Sequence, residues 1–112
     1  MPGHETPLRP AVFHILLALA GTALHGLGIA EAVAEATTGS VKLGPGTLYR
    51  SLKEMARDGL ISEVQAPSES EDPRRRFYDI TKRGRAVVQA EAKRLARIVD
   101  VARENRVLPS AS

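Results

Sequence analysis

Residues 11–20 are apolar nearly all round: Phe13, Ile15, Leu16, Leu17 and Leu19 are interrupted only by His14 and alanines. A helix with no polar face is a buried helix. Pro10 fits its first position, where a missing N–H leaves no bond unmade, and Gly21 stops it. The stretch Leu24-His25-Gly26-Leu27-Gly28-Ile29 opens a second helix. There Ile29, Ala30, Val33 and Ala34 recur at the spacings of an amphipathic helix, and Thr37, Thr38 and Gly39 end it. A third helix starts at Gly44-Pro45-Gly46. Leu48, Leu52 and Met55 form its apolar stripe. At roughly 100° per residue, Gly46, Arg50, Lys53 and Arg57 fall on the opposite side. Asp58-Gly59 closes this helix, with glycine suited to a left-handed C-terminal cap.

The apolar period then shortens. Residues 60–65 and 75–80 read as strands, joined by the polar, turn-rich Pro67-Ser68-Glu69-Ser70-Glu71-Asp72-Pro73. Together they predict a hairpin with a long loop. Alternation puts Tyr78 and Ile80 on the core face and Arg75 and Phe77 on the other. Thr81 is a good N-cap for a last helix reaching about Asn105. In that helix Val88, Ala92, Leu95, Val99 and Ala102 follow a coiled-coil spacing, widened by Val87, Ile98 and Val101. A helix of about 24 residues is about 36 Å long, more than a small core can cover. Its surplus apolar face calls for a partner, and an identical chain is the simplest one. The alternative is a helix folded back on its own domain.

The order of helix, helix, helix, hairpin, helix predicts a mainly α fold with a small β-hairpin: a winged helix-turn-helix followed by a long C-terminal dimerisation helix. The expected divisions are a flexible arm at residues 1–9, the winged helix at 10–81, the dimerisation helix at 82–106 and a flexible tail at 107–112.

Composition narrows the chemistry. A chain of 112 residues fits one domain. With two Phe, two Tyr and no Trp, its core rests on aliphatic side chains. The net charge of +3 is compatible with a nucleic-acid partner but does not demand one. The lack of cysteine removes disulfides, thiolate nucleophiles and cysteine metal sites, and fits the cytoplasm. The longest apolar run is too short to cross a bilayer and lacks the flanks of a signal peptide, so no membrane partner is expected. His4, His14 and His25 are scattered. No Ser-His-Asp set, metal-ligand cluster or phosphate-cradling loop accompanies them, so neither an enzyme nor a cofactor is expected.

The third helix carries the strongest chemical signal. A helix lying in a DNA groove needs a packed back and a polar front. Arg50 sits one turn in and points outward, and arginine is the usual bidentate partner of guanine. Thr47 and Tyr49 bring hydroxyls to the same end, beside Gly46, while Lys53 and Arg57 extend the face. Periodicity alone leaves open an ordinary amphipathic helix with solvated charges, since Glu54 and Asp58 lie among the basic residues. The run Arg74-Arg75-Arg76 can track a phosphate backbone. It can equally be a charged strand edge that discourages aggregation. A winged helix used only for protein contact is a further alternative, which the basic outward face of the third helix disfavours.

These motifs resemble the PadR family of bacterial transcriptional regulators. His25-Gly26-Leu27-Gly28-Ile29 is similar to its His-Gly-Tyr-x-Ile element, and Pro45-Gly46-Thr47-Leu48-Tyr49-Arg50-Ser51-Leu52 to its recognition-helix signature. Gly59-Leu60-Ile61 and Tyr78-Asp79-Ile80-Thr81-Lys82-Arg83-Gly84 are similar to the helix end and the wing exit. The likeness spans roughly residues 10 to 105. Leu27 replaces the family's Tyr, and Asp72-Pro73-Arg74 stands where Gly-Arg-Pro is common at the wing tip. The resemblance implies the family's short form, with the final helix serving dimerisation. It implies a repressor that binds a palindromic operator as a homodimer, with DNA contacts mapping to Thr47, Tyr49 and Arg50. It also implies release by a small, flat hydrophobic effector near the dimer interface. With no Trp, an indole sandwich for such a ligand is not available.

Overall fold

The computed structural model describes residues 7–68, 72 and 74–110. These form α1 (Pro10–Gly21), β1 (Leu24–His25), α2 (Gly26–Ala36), α3 (Pro45–Arg57), β2 (Ile61–Val64), β3 (Phe77–Ile80) and α4 (Lys82–Glu104). The expectations for residues 1–6, His4 among them, for the acidic wing residues Glu69 and Glu71, for Pro73 and for residues 111–112 lie outside the described residues.

The apolar helix α1 is the hub. Its Ile15, Leu16 and Leu19 are buried against Ile29 and Val33 of α2, Leu48, Leu52 and Met55 of α3, Leu60, Ile61, Tyr78 and Val88. Each such aliphatic side chain contributes about 1.5–3 kcal/mol on burial, so this cluster fixes which face of α3 turns inward. Residues 7–9 are tied to the domain: Leu8 packs on the core, and Arg9 Nη2 lies 3.1 Å from Glu54 Oε1.

Local signals set the joints. Gly59 has φ +79°, the left-handed conformation expected at the end of α3. The Leu60 N–H then donates to the Met55 carbonyl at 2.9 Å, which turns the chain directly into β2. Thr81 caps α4 by accepting from the Gly84 N–H at 3.0 Å, and its hydroxyl donates to the Gly59 carbonyl at 2.6 Å. Both ends of the wing are thereby fastened to the end of α3.

Three expectations need correction. Leu24 and His25 do not begin α2. They form an extra strand, and the sheet has the order β1-β3-β2. His25 is the N-cap of α2, with φ −87° and ψ 172°. A capping residue is extended, so its backbone is free to pair with Phe77, as Leu24 pairs with Tyr78. That pairing also corrects Phe77. Cross-strand partners share a face, and the His25 and Phe77 rings meet edge to face at 5.2 Å, so Phe77 is buried rather than outward. Thirdly, Val88 does not belong to a free seam. At 4% exposure it is part of its own domain's core, because the first turns of α4 pack on α1 and the sheet.

Beyond Glu91 no residue of α4 is buried. Leu95 and Ala102 are half-buried and Ala92 is exposed, while Ile98, Val99 and Val101 are 51%, 37% and 48% exposed. The distal half of α4 thus carries an apolar face that its own domain leaves open.

Glu91 itself is a buried carboxylate that periodicity did not single out. Arg94 Nε and Nη2 donate to its two oxygens at 2.9 and 2.7 Å, a bidentate pair. This guanidinium holds the Glu91 carboxyl below its ordinary value, against the opposing effect of burial. A depressed folded-state pKa adds stability above the unfolded value and loses it as pH falls. Urea denaturation from neutral pH downward should therefore show wild type losing its advantage over Glu91→Gln once pH drops through 4.5, the ordinary value of this carboxyl. Parallel pH profiles for the two proteins would contradict this role.

Candidate nucleic-acid interface

With Leu48, Leu52 and Met55 anchored in the core, α3 presents Gly46, Thr47, Tyr49, Arg50, Lys53 and Arg57 to solvent. Gly44 supplies no side-chain cap, so the leading amide groups of the helix remain available to an acceptor outside it. The acidic residues that complicate this face are partly neutralised. Glu54 pairs with Arg9, and Asp58 lies 3.8 Å from Arg57. Among the described residues Arg50 and Lys53 have no carboxylate partner. Exposed pairs such as Arg57–Asp58 are worth little, so the net character of the face is basic.

Tyr49 is 55% exposed, yet its hydroxyl lies directly over Gly26. A Cβ at that position would come within 2.7 Å of the oxygen. Gly26 therefore lets α3 lie close to the start of α2.

The three wing arginines are exposed but do not form a uniform patch. The Arg74 N–H and Nε both meet Asp72 Oδ1, at 3.0 and 3.4 Å. Arg76 Nε stands 3.9 Å from Glu63 Oε2. Arg75 turns the other way, with Nη1 2.9 Å from His25 Nε2. Tyr49, Arg75 and Arg76 consequently meet in one cleft of about 430 Å³ with His25, Gly26, Leu27 and Tyr78. Burial, assisted by the nearby Glu63, raises the Tyr78 phenol above its ordinary value, so its hydroxyl stays neutral. Gly46, Thr47, Arg50, Lys53 and Arg57 continue along α3 outside the cleft. His25 is the residue that the sequence does not single out here: it caps α2 from the end of β1, and no motif announces its meeting with Arg75.

Among the described residues no group of three metal-ligating side chains comes together, and no helix is long and apolar enough to cross a membrane.

The sequence profile of the transcriptional regulator PadR-like family matches residues 15–90. The chain belongs to this family. It is a transcriptional regulator of winged-helix build and not an enzyme. Solved PadR-like structures share the fold. A PadR family transcription regulator from Clostridium difficile R20291 superposes with a TM-score of 0.71 at 26% identity, over 84% of this chain and 95% of that one. A PadR-like regulator from Bacillus cereus also gives 0.71, at 20% identity over 89% of this chain and 92% of that one. Bacillus subtilis PadR, solved in complex with operator DNA, gives 0.61 at 20% identity over 72% of this chain and 45% of that one. No curated protein matches the chain.

Proposed function

We propose that this regulator binds double-stranded operator DNA as a homodimer. Its α3 lies in the major groove and its wing lies on the backbone, and two copies read the halves of a palindromic site. The observation that carries the reading is the exposed basic face of α3, where Arg50 and Lys53 stand without carboxylate partners among the described residues. The solved complex of Bacillus subtilis PadR with operator DNA supports the same use of the fold. The open distal face of α4 supports the second copy. Repression, with release by a small hydrophobic effector near the dimer interface, completes the reading in the cytoplasm, and family membership supports it.

Arg50 tests the groove assignment. Binding sites selected by wild type from a random duplex pool provide the probe. Arg50→Ala should bind them more weakly by about 1–3 kcal/mol and select a more relaxed motif at the corresponding base. Its fold should be unchanged, because Arg50 is exposed and lies outside the core cluster. Equal affinity and an identical selected motif would remove α3 from the groove.

A further inference from the structure

His25 has two neighbours that its ring cannot serve at once. As N-cap of α2, its Nδ1 accepts from the Gly28 N–H at 3.0 Å. Its Nε2 lies 2.9 Å from Arg75 Nη1. A guanidinium only donates, and a neutral imidazole has one N–H and one bare nitrogen. If Nδ1 accepts, Nε2 carries the proton and faces another donor. If Nε2 accepts, Nδ1–H faces the Gly28 amide and α2 loses its cap. A charged ring donates from both nitrogens and suits neither contact. The Gly28 amide favours the capped arrangement, with Nδ1 accepting, while the Phe77 ring, its centroid 5.2 Å away, holds the imidazole plane in place. The mismatch therefore falls on Nε2–H and Arg75, two donors facing each other at 2.9 Å on the wall of the cleft of about 430 Å³ beside Tyr49 and Arg76. Among the described residues no carboxylate lines that cleft, and none pairs with Arg75.

We propose that the cleft holds one backbone phosphate of bound DNA, gripped by His25 Nε2–H and the Arg75 guanidinium together. A non-bridging phosphate oxygen accepts from several donors and carries the negative charge that would balance the Arg75 guanidinium. Arg75 is exposed, so its side chain is free to adjust when that oxygen enters between the two donors. His25 thereby becomes a DNA contact, and the wing is tied to the start of α2 through the ligand. The inference rests on the DNA-binding reading above, and its test separates the two.

The imidazole nitrogens are read first, by ¹⁵N NMR on the full chain. The Nε2–H tautomer is expected, and the Nδ1–H tautomer overturns the proposal. The second reading is fluorescence anisotropy with a short mixed-sequence duplex, because a phosphate contact is independent of sequence. His25→Asn keeps a strong N-cap but falls short of the Nε2 position, and Arg75→Ala removes the partner from an exposed site. Each variant should bind about three- to tenfold more weakly, the size of a lost hydrogen bond. Arg75→Ala should also reduce the salt slope by about 0.9, while His25→Asn leaves it in place. The double variant should lose less than the two separate losses combined, because both donors serve one phosphate. Wild-type affinity in His25→Asn, or fully additive losses, overturns the shared clamp. If wild type fails to bind the duplex at any salt, the DNA-binding reading itself falls, and the clamp with it.

Discussion

Leu95→Glu should leave the protein monomeric at micromolar concentration and remove most of its operator affinity. Leu95 lies one turn beyond Glu91, where α4 leaves its own core and no later residue is buried. Its apolar neighbours Ile98, Val99 and Val101 remain 37–51% exposed in the single chain. A twofold interface along this face would bring two Leu95 side chains close to the symmetry axis. Two carboxylates there would be desolvated without a partner, which is far costlier than burying leucine. Because Leu95 is itself half-buried within its own chain, Ile98→Glu is the cleaner companion: its side chain is more exposed and has no place in the core cluster. Both variants should sediment as monomers. Operator affinity should drop by about 10²-fold or more, because linked half-sites bind with high effective concentration and single ones do not. If both variants remain dimers, α4 packs in some other way.

Gly84→Ala should destabilise the domain, although the same exchange in most helices is favourable by about 1 kcal/mol. Gly84 is buried in the first turn of α4, and a Cβ there would overlap the Leu60 carbonyl oxygen. That oxygen is part of the backbone, held by a bond from the Thr81 N–H at 3.1 Å, so it cannot swing aside as a side chain would. Relief requires α4 to lift from the end of α3, at a cost of about 1–3 kcal/mol or more. A domain of this size has only about 5–15 kcal/mol in total, so the loss should be plain in urea or thermal unfolding. Because the sign is opposite to helix propensity, a stabilised Gly84→Ala protein would show that this close approach is absent.

The parts legible in the sequence are those with local causes. Leu48, Leu52 and Met55 mark the buried side of α3 through their spacing alone, which leaves Arg50 and Lys53 outward. Gly59 and Thr81 announce a left-handed cap and an N-cap through their own chemistry. What stayed hidden depends on partners far along the chain. A strand as short as Leu24–His25 has no periodicity, and it exists because β3 offers an edge to an already extended cap. Phe77 reads as outward because alternation assumes a solvated second face, and the His25 ring packs against Phe77 on that face. Val88 fits the seam by spacing, but spacing cannot say where the core stops and the partner begins. The meeting of His25 with Arg75 joins two segments 50 residues apart, and no motif encodes it.

The central claim is that two copies read DNA through paired α3 helices. A hydroxyl-radical footprint of wild type on its selected duplex tests this most directly. Dimers of helix-turn-helix proteins contact half-sites about 10–10.5 base pairs apart, or multiples of that spacing. Two protected patches related by twofold symmetry are expected, set on one side of the duplex at that spacing. A single patch, or two patches without symmetry, would contradict the claim.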